Sequence, residues 1–293
     1  PEHWGEVEII HDGLLFARLP YVWKRKNGLF QLTMPQLTQT LGPWLRPYPG
    51  KHANRLGEEK DLMFGLISRL PRFDDFWQNF HYSITNWLPF YWQGYEQTTR
   101  YTYVLENLSN PEVIWKGLRE NIRRGIRKAQ KSLVVRDDLG LGTFLKLNEK
   151  TFSRQGRALP YPQELVERID EACGKRERCK IFFAVDGQET VHAAVYMIWD
   201  QDSAYYLMGG RDPELTNSEG SSLCLWHAIQ FAAHVTKRFD FEGSMIEPIE
   251  RFFRAFGAVQ KPYFQVRKTN SLPLRMARDV SKWVSMVGLR IRR

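Results

Sequence analysis

The sequence predicts an α/β (α+β) fold, with a mixed, mostly antiparallel sheet flanked by helices. Two observations predict it. Residues 181–208 hold three apolar, strand-like runs separated by turn residues, the pattern of a meander. On either side lie runs with apolar residues every three or four positions, the period of a helix. The chain has 293 residues, 43% of them hydrophobic. That length and composition can bury one large core or two medium ones.

Residues 14–18 and 29–33 read as strands, with Asn27-Gly28 as a turn between extended segments. A helix is expected over 58–70, ending before Pro71. A dense aromatic stretch follows, with Trp87, Phe90, Tyr91, Trp92, Tyr95, Tyr101 and Tyr103. These rings suit a core, or a stacking surface for a base or sugar. Asn110-Pro111-Glu112 reads as a helix start with Pro just inside it. That helix is expected to continue through Trp115, Leu118, Ile122, Ile126 and Ala129 as a bridge between two halves. Helices are expected over 143–153 and 163–172. Strands then follow at 181–185, 191–199 and 204–208, with turns at Asp186-Gly187 and 200–203. A polar loop at 209–219 leads into a helix over 221–235. A strand at 239–242 precedes a helix over 249–256, which Gly257 ends as a C-cap. A final strand pair is expected within 259–268.

Lys and Arg number 42 against 33 Asp and Glu, a net charge of +9. Such an excess attracts phosphorylated substrates, CoA, RNA or an anionic membrane surface without choosing among them. The basic residues concentrate at 119–131 and at the C-terminal end. Cys173, Cys179 and Cys224 form no CxxC pair, and their odd number argues against a disulfide scaffold. A reducing cytoplasm is the expected location. No metal site is expected. His227 and His234 are two helical turns apart, roughly 10.5 Å of rise, too far for one ion. No apolar run is long enough to suggest a transmembrane helix.

The order of elements in the second half resembles the GNAT acetyltransferase fold. In that fold a loop and a helix N-terminus cradle a donor's pyrophosphate through backbone N–H groups. Asn217-Ser218-Glu219-Gly220-Ser221-Ser222 stands at that place, keeping the middle Gly and a small last residue. Phe239-Asp240-Phe241-Glu242-Gly243-Ser244 resembles the Asp-Phe-x-Gly segment of FemAB-like proteins. Arg251-Phe252-Phe253-Arg254-Ala255-Phe256-Gly257-Ala258 resembles their aromatic-Lys-x-x-Phe-Gly motif, with Arg254 at the Lys position. Ile122-Arg123-Arg124-Gly125-Ile126-Arg127-Lys128-Ala129 resembles the basic helix before their second domain. Tyr205-Tyr206-Leu207-Met208-Gly209-Gly210 resembles their sheet.

The resemblance implies two tandem GNAT-like domains: a degenerate copy over 1–110 and an acyltransferase domain over 111–293. It implies an N-acyltransferase acting on an amine of a cell-envelope precursor, a peptidoglycan peptide or a polysaccharide amino sugar. The donor would be acyl-CoA or aminoacyl-tRNA. Phe253, where CoA-dependent enzymes often carry a Tyr, tilts the reading toward the FemAB branch, because Phe cannot donate a proton. The competing expectation is a non-catalytic module that binds RNA or a membrane surface.

Candidate site residues follow. Leu207, Met208, Gly209 and Gly210 offer backbone groups to the acyl carbonyl. Asn217, Gly220, Ser221 and Ser222 would hold the donor's phosphates. Asp240 and Glu242, two apart on the expected strand, point to one face, where either could act as base. Arg254 is a bidentate anion binder or a solvated helix residue. Phe253 and Arg211 would line the substrate site. Arg123, Arg127 and Lys128 form either a solvated face or a phosphate-binding surface for a nucleotide-linked precursor or tRNA. The basic, amphipathic stretch 272–293 would dock on the protein or lie on the inner face of the membrane as a peripheral contact.

Overall fold

The computed structural model describes residues 3–153, 156, 158–215, 219–243, 245–278 and 280. The chain begins with strands β1 (Trp4–His11), β2 (Leu14–Lys26), β3 (Leu29–Thr33) and β4 (Trp44–Leu45). Helix α1 (His52–Arg69), β5 (Asp75–Asn79), α2 (Leu88–Trp92) and β6 (Glu96–Leu105) follow. Next come α3 (Pro111–Gly117), α4 (Glu120–Ala129), β7 (Leu133–Arg136), α5 (Gly140–Ser153) and α6 (Gln163–Gly174). The rest is β8 (Cys179–Asp186), β9 (Val191–Trp199), β10 (Ser203–Arg211), α7 (Gly220–Val235), β11 (Arg238–Asp240), α8 (Glu247–Arg254) and β12 (Val259–Thr269). Two compact units result, residues 1–100 with 262–293, and residues 101–261. Of the residues that the sequence groups with the second half, 262–278 and 280 fall in the first unit.

In the first unit, Asp12-Gly13 and Asn27-Gly28 both take positive φ. That is the turn chemistry of tight hairpins, and it joins β1 to β2 and β2 to β3 in antiparallel pairs. β3 pairs β5 in parallel, and β5 pairs β12 antiparallel. Helix α1 lays Leu62, Met63 and Leu66 into a core with Leu19, Leu32, Phe76, Phe80 and Phe90. It starts earlier than its apolar pattern suggests, at His52. The aromatic stretch divides between roles: Phe90 and Tyr95 are core, whereas Tyr91 and Trp92 are exposed. The expected strand pair at 259–268 is instead one long strand, β12, because Gln265–Thr269 finds its partner in β5, far away in sequence.

In the second unit, β8, β9 and β10 form the expected meander, with β7 antiparallel to β8. β11 pairs β10 in parallel and β6 antiparallel. Helices α4 and α7 cover one face and bury Ile122, Ile126, Leu223 and Ile229 with Phe182, Val195 and Phe239. Helix α5 covers the other face, where Phe144 meets Tyr196 edge-on.

The single helix expected over 111–129 is broken in two. Asn110 caps α3 by accepting the N–H groups of Glu112 and Val113. Leu118 and Arg119 are then extended, and the Arg119 N–H is taken by the Ala255 carbonyl (2.9 Å) rather than by a helical one. The break is wedged against Gly257, whose φ is +75° and where an added β-carbon would lie 2.7 Å from the Gly117 carbonyl. Only a residue without a side chain tolerates both. Gly257→Ala should therefore destabilise the protein by about 1–3 kcal/mol, read as a lower midpoint in urea unfolding with an unchanged slope.

Candidate functional site

The site is built by the way β10 leaves β11. Their parallel pairing runs only from Ser203↔Arg238 to Tyr205↔Asp240. β11 ends there, because Glu242 and Gly243 both take left-handed backbone (φ +55° and +60°). An added β-carbon at Gly243 would run into the backbone of Tyr101 and Thr102. β10 continues to Arg211 with β9 on one side only. Its ladder slips by one residue between Tyr206 and Met208, which makes Leu207 the extra residue of a β-bulge. A bulge bends a strand and leaves its extra residue out of the ladder. The edge of β10 beyond Tyr205 thus parts from β11.

Asp240 sits at the fork. It is 5% exposed, accepts the Thr102 hydroxyl (2.5 Å) and the Glu242 N–H (2.8 Å), and has no cation bound to it among the described residues. Burial pushes its carboxyl up to about 6, although both hydrogen bonds pull it down. The Glu242 carboxyl is pushed well above its ordinary value, by burial first and the Asp240 charge second. The two do not share one strand face as the sequence predicts, since Glu242 lies past the strand end in the left-handed turn. Phe239 and Phe241 do pack into the core, as expected, with Phe253 of α8 and Phe256 just after it against Phe241.

On the core side of the fork, the Tyr206 ring meets Phe253 edge-on at 5.5 Å. Its hydroxyl lies directly over Gly209, and a β-carbon at 209 would collide with it. Burial pushes this phenol up to about 12, so it stays protonated. Arg254 follows at the exposed end of α8. Its Nε binds Glu250 (2.9 Å), and Glu250 also accepts the buried Tyr103 hydroxyl (2.6 Å). Of the three predicted catalytic groups, Asp240, Glu242 and Arg254, the first and the last are each held by their own hydrogen-bond partners.

The other predicted residues distribute as follows. Leu207, Met208, Gly209 and Gly210 form the bulged, parted stretch of β10, and Arg211 is exposed at its end. Gly220 and Ser222 are buried in the first turn of α7, and Ser221 is half-buried. Gly220 packs against Ala184 and Ala193, where an added β-carbon would come within 3.2 Å of either. Asn217 lies outside the described residues. Arg123, Arg127 and Lys128 are on α4, where Arg123 binds Glu120 (2.6 Å) and Arg127 lies 5.5 Å over the Trp115 ring. Of 272–293, residues 279 and 281–293 lie outside the described residues. Among the described residues, no helix is long and apolar enough to cross a membrane. No group of three or more His, Cys, Asp or Glu could hold a metal ion there either.

Three residues to which the sequence reading gave no site role stand against the parted stretch of β10: Asn148, Thr151 and Tyr206. Asn148 donates to the Gly209 carbonyl (2.9 Å) and accepts the Tyr161 hydroxyl (2.9 Å). Thr151 accepts the Arg211 N–H (3.0 Å). A polar Asn within the apolar stripe of the 143–153 helix was the available signal, since a buried amide demands partners.

Asp240 links acidity to stability with a definite sign. Between the ordinary carboxylate value, about 3.9, and about 6, the folded chain keeps a proton that the unfolded chain has lost. Stability therefore falls as pH rises through that window and stays reduced above it. Asp240→Asn keeps the oxygen that accepts both hydrogen bonds and removes the buried charge. It should be more stable than wild type at pH 8, on the order of 2 kcal/mol. Melting curves across pH should show the gap closing below about pH 4.

With this geometry in place, comparison with known proteins is informative. Residues 116–252 match the family model described as the acetyltransferase (GNAT) domain. No curated protein matches the sequence. The fold is similar to the crystal structure of FemX, at TM-score 0.67 and 13% identity over 90% of this chain and 88% of that one. It is similar to a tandem GNAT protein from the clavulanic acid biosynthesis pathway, at TM-score 0.54 and 11% identity over 92% and 83%. It also resembles the C-terminal domain of a putative lysylphosphatidylglycerol synthetase from Agrobacterium fabrum, at TM-score 0.54 and 8% identity over 92% and 85%. The unit of residues 101–261, with its forked, bulged sheet, thus contains the stretch similar to the acetyltransferase (GNAT) domain, in a mixed α/β chain whose fold is like those of FemX and the tandem GNAT protein.

Proposed function

We propose that this protein is an N-acyltransferase that moves an acyl or aminoacyl group onto an amine of a cell-envelope precursor, a peptidoglycan peptide or a polysaccharide amino sugar. The observation that carries the reading is the fork between β10 and β11, with a buried carboxylate at its apex. Two similar structures lend support through their names: one is FemX, and the other, by name, is a putative synthetase of lysylphosphatidylglycerol, a lysyl group joined to a lipid.

Each residue has a role that its environment suits. The acceptor amine attacks the acyl carbonyl, and Asp240 takes the proton that the amine loses. A carboxyl near 6 is mostly ionised at neutral pH yet basic enough to share a proton, the compromise a general base needs. Backbone N–H groups at the Leu207 bulge face the developing oxyanion. The carbon–nitrogen bond forms, the bond to the donor's oxygen or sulfur breaks, and the leaving group takes a proton. The Tyr206 phenol, protonated beside Phe253 and over Gly209, can supply it. Arg254, oriented by Glu250, holds a phosphate of donor or acceptor. In this reading 1–110 is the degenerate copy, and α4, through Arg123, Arg127 and Lys128, faces phosphorylated partners. The setting is the cytoplasmic side of the membrane.

The test is amide formation on an amine-bearing envelope precursor, followed by mass spectrometry with acetyl-CoA and with charged tRNA as donors. Asp240→Asn should lower kcat by about 100-fold or more and leave the acceptor KM close to wild type. The wild-type rate should rise with pH through about 6. Arg254→Ala should raise the KM of the phosphorylated substrate, and Arg254→Lys should restore part of it. If Asp240→Asn is fully active, Asp240 is not the base. If no donor yields product and neither variant changes RNA or vesicle binding, the non-catalytic module is the better description.

A further inference from the structure

The parted edge of β10 is already occupied. In an antiparallel pair, alternate residues turn their backbone polar groups toward the partner strand and away from it. The Asp212 N–H bonds the His192 carbonyl across from β10 (2.9 Å). Gly210 shares that parity, so Gly209 and Arg211 face the open side. Helix α5 meets them there. The Asn148 amide takes the Gly209 carbonyl at 2.9 Å. The Thr151 hydroxyl accepts the Arg211 N–H at 3.0 Å and lies 3.1 Å from the Arg211 carbonyl. Asn148 is 2% exposed and held from behind by the Tyr161 hydroxyl at 2.9 Å. Gly210 permits the approach, because a β-carbon there would lie 3.1 Å from the Asn148 backbone nitrogen. Lys150, on the same helix, ties the segment further through Asp212 at 2.7 Å.

An extended ligand arm that carries amide groups, as acyl-CoA does, binds an open strand edge by adding main-chain-like hydrogen bonds. Here the acceptor and donor groups such an arm would use at Gly209 and Arg211 are spoken for by side chains. We infer that Asn148 and Thr151 are specificity-determining residues that close the β10 edge to an extended, amide-bearing donor arm and leave the fork open to a compact acyl ester. The inference rests on the acyltransferase reading and narrows its donor. Glu219 points the same way. It is the N-cap residue of α7, and its carboxylate would lie 3.1 Å from a β-carbon on Gly125 of α4. That places a negative charge beside the helix end where a donor pyrophosphate would otherwise be welcome.

Calorimetric titration of the full chain with acetyl-CoA reads this without any turnover. Wild type should show no binding in the micromolar range. Asn148→Ala combined with Thr151→Ala removes both the hydrogen-bonding groups and their bulk, frees the edge, and should bind acetyl-CoA at least about tenfold more tightly. Circular dichroism and a thermal melt check the fold. If the double variant does not fold, Thr151→Ala alone carries the test and should show a smaller gain over wild type. Micromolar binding by wild type would overturn the inference, and so would a folded variant that binds no better than wild type. Either result leaves the transferase reading intact, because that reading stands or falls on the Asp240 kinetics.

Discussion

The short pairing of β10 with β11 sets where the Asp240 carboxyl and the free edge of β10 lie. Parallel strands held together along their length would hide both edges in hydrogen bonds. Here the ladder stops at Tyr205↔Asp240. The Leu207 bulge turns β10 one way, and the left-handed pair Glu242-Gly243 takes the chain off β11. Gly243 cannot carry a side chain without striking β6, so the turn is fixed by sterics rather than preference. Backbone groups on β10 and a buried carboxylate on β11 therefore meet at one apex.

The surroundings divide into two chemically different sides. One is aromatic: Tyr206, Phe241, Phe253 and Phe256 pack together under α8. The other is polar and lies beneath α5, where Asn148, Thr151 and Lys150 bind residues 209–212. Among the described residues no cation binds Asp240, while Arg254 is given to Glu250. Pairing the two would have held the carboxyl low and spent the cation, since an opposite charge nearby favours ionisation. Their separation leaves the Asp240 carboxyl at about 6 and Arg254 on Glu250.

Much of this was legible in the sequence. The meander at 181–208 and the helix after the polar loop follow from local periodicity and turn chemistry, whereas α8 is capped at Ala255, two residues before the Gly257 expected to end it. Gly209 and Gly210 signalled a close approach: a β-carbon at 209 would strike the Tyr206 hydroxyl, and one at 210 would press on the α5 backbone at Asn148. Other features depend on contacts between distant segments. Nothing local says that 265–269 pairs with 75–79. The break at Leu118 exists because the Ala255 carbonyl captures the Arg119 N–H, which apolar spacing cannot reveal. Asp240 and Glu242 look equivalent by spacing, yet the strand ends between them. Asn148 reads as an ordinary helix residue until α5 is laid across β10.

The central claim is that the fork holds a carboxylate poised near neutrality. A carboxyl-carbon NMR titration that assigns Asp240, with Asp240→Asn to identify its signal, measures that directly. The account predicts a midpoint about 6. A midpoint at the ordinary aspartate value of about 3.9 would mean that water reaches the group freely, that the apex is not the buried site described, and that Asp240 is not a base held ready there.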